Sequence, residues 1–192
     1  MTTTTTSTSL SHEDVISRAT GEWTLDPSGS SVHLRHATLW GLIKVKGHFT
    51  GLRGHGQVEA DGSIRGDISV DAASVDTNNK KRDHHLRSDH FFKVDTHPEI
   101  TFEARSARRD GAGFVVDGDL TAAGQSRELQ VPVVLRDWSQ DAITLEADVE
   151  VDRTRHGMTF NQLGMLRGLT KVHVVARFVR PATDTADTAD AG

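Results

Sequence analysis

A side-chain period of two constrains this chain more than any other feature. Val32, Leu34 and His36 alternate with His33 and Arg35. Ile43, Val45, Gly47 and Phe49 alternate with Lys44, Lys46 and His48, and Ile64, Gly66, Ile68 and Val70 with Arg65, Asp67 and Ser69. The pattern returns at Ile100, Phe102 and Ala104, at Phe114, Val116, Gly118 and Leu120, and at Leu129, Val131, Val133 and Leu135. It closes with Ile143, Leu145, Ala147, Val149 and Val151, then Val172, Val174, Ala176 and Phe178. Successive side chains of a strand point to opposite faces, so each run is a strand with one dry face and one wet face. That is antiparallel geometry, because strands of parallel sheets are apolar on both sides. Turn-forming residues at 51–56, Asp61-Gly62, Asp110-Gly111 and 137–141 separate most of the runs. Eight such strands predict an all-β domain, either a sandwich or a closed up-and-down barrel. A barrel also removes the exposed edges that template aggregation.

The ends fall outside this pattern. Residues 1–20 open on a Thr/Ser tract too polar to pack, with a short helix expected from Ser11, and 181–192 repeat Thr-Ala-Asp. The folded domain is therefore expected over 21–180. A net charge of -5 argues against a nucleic-acid partner, and the absence of cysteine excludes disulfides, thiolate metal sites and thiol catalysis. No apolar run reaches the roughly 20 residues that span a bilayer, so no stable membrane insertion is expected. The first residues lack the basic flank and apolar stretch of a secretory leader, which reads as a cytoplasmic protein.

Residues 76–94, DTNNKKRDHHLRSDHFFKV, interrupt the strands with a charged, helix-tolerant insertion. A connection this long inside a β domain is usually functional. Its histidines invite a metal reading. His84 and His85, however, are adjacent and diverge on a helix, while His33 and His36 lie three apart and face opposite sides of a strand. Nothing matches the common zinc spacings, so no metal and no cofactor is assigned. There is no G-x-S-x-G, and most carboxylates sit on outward positions. The chain therefore does not read as an enzyme. A histidine-based metal protein or small enzyme is the alternative. An interaction scaffold using Glu146, Asp148 and Glu150 is a third reading.

Several stretches, in order, resemble the YceI-like family of polyisoprenoid-binding proteins. They are Gly21-Glu22-Trp23-Thr24-Leu25-Asp26, Ser30-Ser31-Val32 with Arg35-His36, and Val45-Lys46-Gly47-His48-Phe49. Ala73-Ser74-Val75-Asp76-Thr77-Asn78, Arg82-Asp83-His84-His85-Leu86-Arg87-Ser88 and Phe91-Phe92 follow. Pro98-Glu99-Ile100-Thr101-Phe102, Gly118-Asp119-Leu120-Thr121, Val151-Asp152-Arg153 and Gly157 complete the set. The stretch from Leu120 to Ser126 is less apolar and richer in alanine than is usual in that family. The resemblance implies an extended eight-stranded antiparallel barrel of lipocalin type with a short helical insertion. It implies a long isoprenoid, quinone or fatty-acid derivative stored or transported in the lumen, and it admits a homodimer. Inward Gly47, Gly66, Gly118, Ala104, Ala147 and Ala176 are expected to leave room for it. The expected lining is Leu34, His36, Val45, Phe49, Ile68, Phe102, Phe114, Val116, Met158, Phe160 and Phe178. Leu86, Phe91 and Phe92 would form a flap over a mouth at 82–92. Arg82, His85, Arg87 and Arg153 would meet a polar head group, and His36, inward by parity, would hydrogen-bond a carbonyl or quinone oxygen.

Overall fold

The computed structural model describes residues 18–38, 43–161 and 168–181. Among them, eleven strand segments form one antiparallel sheet. They are β1 (Gly21–Leu25), β2 (Ser31–Thr38), β3 (Ile43–Phe49), β4 (Leu52–Val58), β5 (Ile64–Asp71), β6 (Val75–Asp76), β7 (Glu99–Asp110), β8 (Gly113–Ala122), β9 (Gln125–Trp138), β10 (Ala142–Val151) and β11 (Thr170–Val179). An α-helix, α1 (Lys80–Arg87), lies between β6 and β7.

The eleven segments are eight strands, three of which are creased. β1 pairs with β4 and β2 with β3, so β1 and β2 are two halves of one strand running beside β3 and β4. β5 pairs with β4 and β6 with β3 in the same way. The creases adjoin: a 3-10 turn at Pro27–Gly29, residues Thr50 and Gly51, and a 3-10 turn at Ala72–Ser74. The Ser74 hydroxyl binds the amides of Thr50 and Gly51, and the Asp71 amide donates to Gly51 O at 2.9 Å. Each strand thus lies beside its neighbour in sequence. β11 closes the ring on the first strand through Thr24↔Val179 and Leu25↔Phe178, and continues along β2 from Ser31 to Arg35. The result is a closed eight-stranded antiparallel barrel with a short helix.

The alternation places the apolar set inside and the charges outside. Arg136 reaches Glu146, Lys171 reaches Glu150, and Arg105 pairs with Asp119 across neighbouring strands. Exposed pairs of this kind contribute little stability.

Three expectations are corrected. Residues 51–56 are mostly strand β4, not a turn; Gly54 is buried against Leu25, and Gly56 lines the interior beside Trp23. Ile43 is 48% exposed despite its inward parity. Gly118 and Gly66 leave no free room: a Cβ on Gly118 would stand 2.6 Å from the Phe102 ring and 2.4 Å from Glu103 O, and one on Gly66 would stand 2.6 Å from His55 O. Gly118→Ala should therefore lower stability by about 1–3 kcal/mol, since main chain cannot yield as a flexible side chain does. Chemical denaturation measures this, and an unchanged midpoint would show that the main chains of β7 and β8 can part locally. The helix expected from Ser11 lies almost wholly outside the described residues, as does most of the tail from 181.

Candidate ligand-binding site

The barrel encloses a cavity of about 1180 Å³. Along β11 the residues Thr170, Val172, Val174, Ala176 and Phe178 all line it, so it runs the length of that strand. Eight steps of about 3.3 Å make some 26 Å of strand, or roughly 20 Å along the axis of a barrel whose strands tilt by about 40°. Divided into the volume, that length gives a mean section of about 60 Å². The space is long and narrow, and it is larger than the roughly 300–1,000 Å³ of typical small-molecule pockets.

The two ends differ. One end carries the connections 77–98 and 123–124 and residues 152–161, which follow β10. There Phe91, Phe92, Phe49, Val75, Ala122, Ala123 and Met158 pack into a buried cluster. At the opposite end the described connections are the turns 59–63, 111–112 and 139–141, with Ala19 accepting from the Trp23 indole beside them. The lumen is lined there by Gly62 and by exposed Asp61, Arg109 and Ala112, with Trp23 and Trp138 just inside, ring centroids 6.4 Å apart. Among the described residues the lumen meets exposed side chains at this second end, while Phe91 and Phe92 are buried at the first.

The insertion is anchored. Asn79 caps α1 by accepting from the Arg82 amide. Buried Asp83 accepts from the Thr77 amide at 3.0 Å and from its hydroxyl, while Arg82 donates to Thr77 Oγ1 and Thr77 O, both at 2.7 Å. Arg87 donates to Ala73 O at 2.7 Å and Val75 O at 2.8 Å. The two-residue hairpin Ala123-Gly124, both at positive φ, brings the barrel rim against the His97 ring, where a Cβ on Gly124 would stand 2.5 Å away. The small residues at 122–124 that set this chain apart in sequence thus let the insertion seat closely.

Leu34, His36, Val45, Phe49, Ile68, Leu86, Phe91, Phe92, Phe102, Phe114, Val116, Met158, Phe160 and Phe178 all line the cavity. Arg82, His85 and Arg153 reach it as well. Arg87 does not; its guanidinium is spent on the carbonyls of Ala73 and Val75. The sequence reasoning did not place Trp23, Trp138 or Ile64 in the lining. Trp23, in phase with Leu25 on β1, was an available signal; Trp138 is out of phase with Leu129 to Leu135 and is brought inward by the register shift opposite Thr144 and Leu145, which the sequence does not show.

Polar groups gather at the closed end. The buried Arg153 guanidinium donates to Phe160 O at 2.9 Å and to Met158 O, and lies 5.9 Å from the Phe91 ring. His85 stands edge-on to Phe160 and Phe91 at 4.8 and 5.2 Å. His36 Nδ1 is 3.1 Å from Thr170 Oγ1, and its buried Nε2 has no hydrogen-bond partner among the described residues. Burial, with the Arg153 charge as a lesser cause, holds the His36 imidazole below its usual pKa. A neutral imidazole with one nitrogen bonded to Thr170 offers the other to a ligand, as donor or acceptor according to the tautomer.

The YceI-like domain profile matches residues 23–179. A UPF0312 protein of Photorhabdus laumondii is 35% identical over 104 residues, which are 54% of this chain and 50% of that protein. The chain thus spans about half the length of the curated relatives it matches. Among solved structures, Burkholderia cenocepacia BcnA superposes with TM-score 0.71 at 17% identity, covering 80% of this chain and 98% of that one. A polyisoprenoid binding domain from Saccharophagus degradans superposes with TM-score 0.65 at 17% identity, over 83% and 98%. At those identities the two structures establish the fold alone. No helix among the described residues is long and apolar enough to cross a membrane.

Proposed function

Because the chain belongs to the family of YceI-like domains, we propose that it binds a long-chain apolar or amphiphilic molecule within the barrel and holds it for storage or transport, without catalysis. The single observation that carries this reading is the long, narrow, largely apolar lumen of about 1180 Å³. A polyisoprenoid, an isoprenoid quinone or a fatty-acid derivative has the required shape. At roughly 25 cal/mol per Å² of apolar surface, burial of some 400 Å² supplies about 10 kcal/mol, enough for micromolar binding after ordering costs of a few kcal/mol. In this reading the polar end of the ligand meets His36 and Arg153, and its tail extends toward Trp23 and Trp138. The anchored insertion acts as a plug, so exchange runs through the opposite mouth. Native mass spectrometry of protein purified from its own host should show a long-chain lipid released by gentle activation. Protein that carries no lipid and takes up neither a long-chain prenol nor a fatty-acid amide would overturn the reading.

His36 supplies a sharper expectation. His36→Leu should raise the stability of the ligand-free protein by about 1 kcal/mol, because it removes a buried polar atom without a partner. The same change should weaken a ligand with an oxygen head group while sparing a plain hydrocarbon. Folding lowers the basicity of His36, so below its usual value of about 6.5 the unfolded chain takes up the proton first. The native protein should therefore lose stability as pH falls through that point. Leucine at 36 should flatten the loss, and thermal melts across the acid range read the difference.

A further inference from the structure

We propose that the outer wall of the barrel carries a divalent transition-metal site built from His173, Asp148 and His33, with His48 beside it. The register sets five residues in one row across five strand segments. Asp148 on β10 pairs with His173 on β11, His173 with His33 on β2, His33 with His48 on β3, and His48 with Asp76 on β6. The neighbours in sequence of all three histidines line the lumen, so the histidines themselves face outward.

One pair of side chains is spaced for a shared ion. His173 Nδ1 and Asp148 Oδ1 are 3.1 Å apart. Two ligands of a tetrahedral ion with bonds of about 2.0–2.2 Å stand about 3.4 Å from one another, so an ion can replace the shared proton, which passes to solvent, with little movement. The same pair, together with Glu146, forms a group whose ligand atoms fall within 4.8 Å of each other. Glu146 is held by Arg136, which leaves Asp148 and His173 as the ligating pair. His33, opposite His173 on β2, lies outside that 4.8 Å group and would complete the site by turning its ring toward His173. Directly opposed residues have Cβ atoms about 4.5–5.5 Å apart, within reach of two imidazoles converging on one ion. His33 and His48 already lie with ring centroids 6.0 Å apart.

The adjacent row is Glu150, Lys171, Arg35 and Lys46, and Lys171 is paired with Glu150 at 3.3 Å. Its cations flank one side of the site and Arg136, paired with Glu146, the other; the carboxylates of Asp148 and Asp76 stand at the ends of the row. Imidazole with carboxylate selects zinc, nickel or copper over calcium or magnesium. The spacing of histidines along the chain conceals this site, because its members lie on different strands and meet only through pairing.

The test is calorimetric titration of the untagged full chain with zinc chloride at neutral pH, alongside three variants. One saturable site is expected. His33→Gln and His173→Gln should each weaken it at least tenfold, while His84→Gln, at an exposed position of α1, should leave it unchanged. Absence of a saturable site, or a smaller loss in either His33→Gln or His173→Gln, overturns the proposal. Each variant's melting curve establishes that it is folded. Because these residues face away from the lumen, the result stands or falls independently of lipid binding.

Discussion

Replacing Val174 by tryptophan is expected to leave the barrel folded and to weaken lumenal ligand binding by nearly two orders of magnitude. Val174 lies midway along β11, lines the cavity and packs against both apolar clusters of the interior. An indole buries about 150–250 Å² when enclosed, and at this position the cavity provides the space. The ring would occupy the narrow section that a chain-like ligand must thread. If the ligand forfeits about 100 Å² of apolar contact, the loss at roughly 25 cal/mol per Å² is about 2.5 kcal/mol, or some sixtyfold in affinity. Unlike a polar substitution, the change keeps the wall apolar, so circular dichroism and the melting midpoint should stay close to those of the parent. Leu145→Trp, on the neighbouring strand, should act the same way and guards against local misfolding at 174. Full-strength binding in both folded variants would mean that the ligand does not occupy the middle of the barrel.

Asp83→Ala should have the largest effect on stability, a loss of about 2–4 kcal/mol. The carboxylate is buried and accepts from both the amide and the hydroxyl of Thr77, while Arg82 binds the other side of that residue. Removing it strands the amide proton and the hydroxyl proton of Thr77 in a dry site. Each unsatisfied group costs about 1–3 kcal/mol before relaxation. The insertion should then detach, exposing Phe91 and Phe92, so amide exchange should accelerate in 77–97 well before the strands unfold. If exchange rises uniformly instead, the insertion is integral to the barrel and does not act as a separable plug.

Much of this architecture is legible in sequence, for a physical reason. Each of the eight strands has one face against the lumen, so the two-residue rhythm survives across the whole chain and gives both the strand count and the inward residues. The rhythm fails where glycine takes the inward place. In β4 the inward residues Gly54 and Gly56 carry no hydrophobic signal and resemble turn formers, although a Cβ at Gly54 would stand 2.5 Å from Asp67 O. The charged insertion is harder still. Arg82 and Arg87 look alike in sequence, yet Arg82 reaches the lumen and Arg87 does not, because carbonyl groups of 73–75 claim the second. Both guanidiniums bind main-chain carbonyls, Arg82 that of Thr77, and composition cannot tell which of them also borders the lumen. The histidine row shows the same limit at long range. Strand register, not local spacing, decides which side chains become neighbours.

The way the ring closes also bears on how the protein is made. Every strand except one finds its partner next to it in sequence, but the first must wait for β11, about 140 residues later, to bond along Thr24, Leu25 and Ser31 to Arg35. During synthesis the growing sheet therefore stays an open, curling ribbon with its greasy side uncovered until the final strand has left the ribosome. No closed interior exists before then, so the proposed ligand would enter either after translation or as the seam zips shut around it.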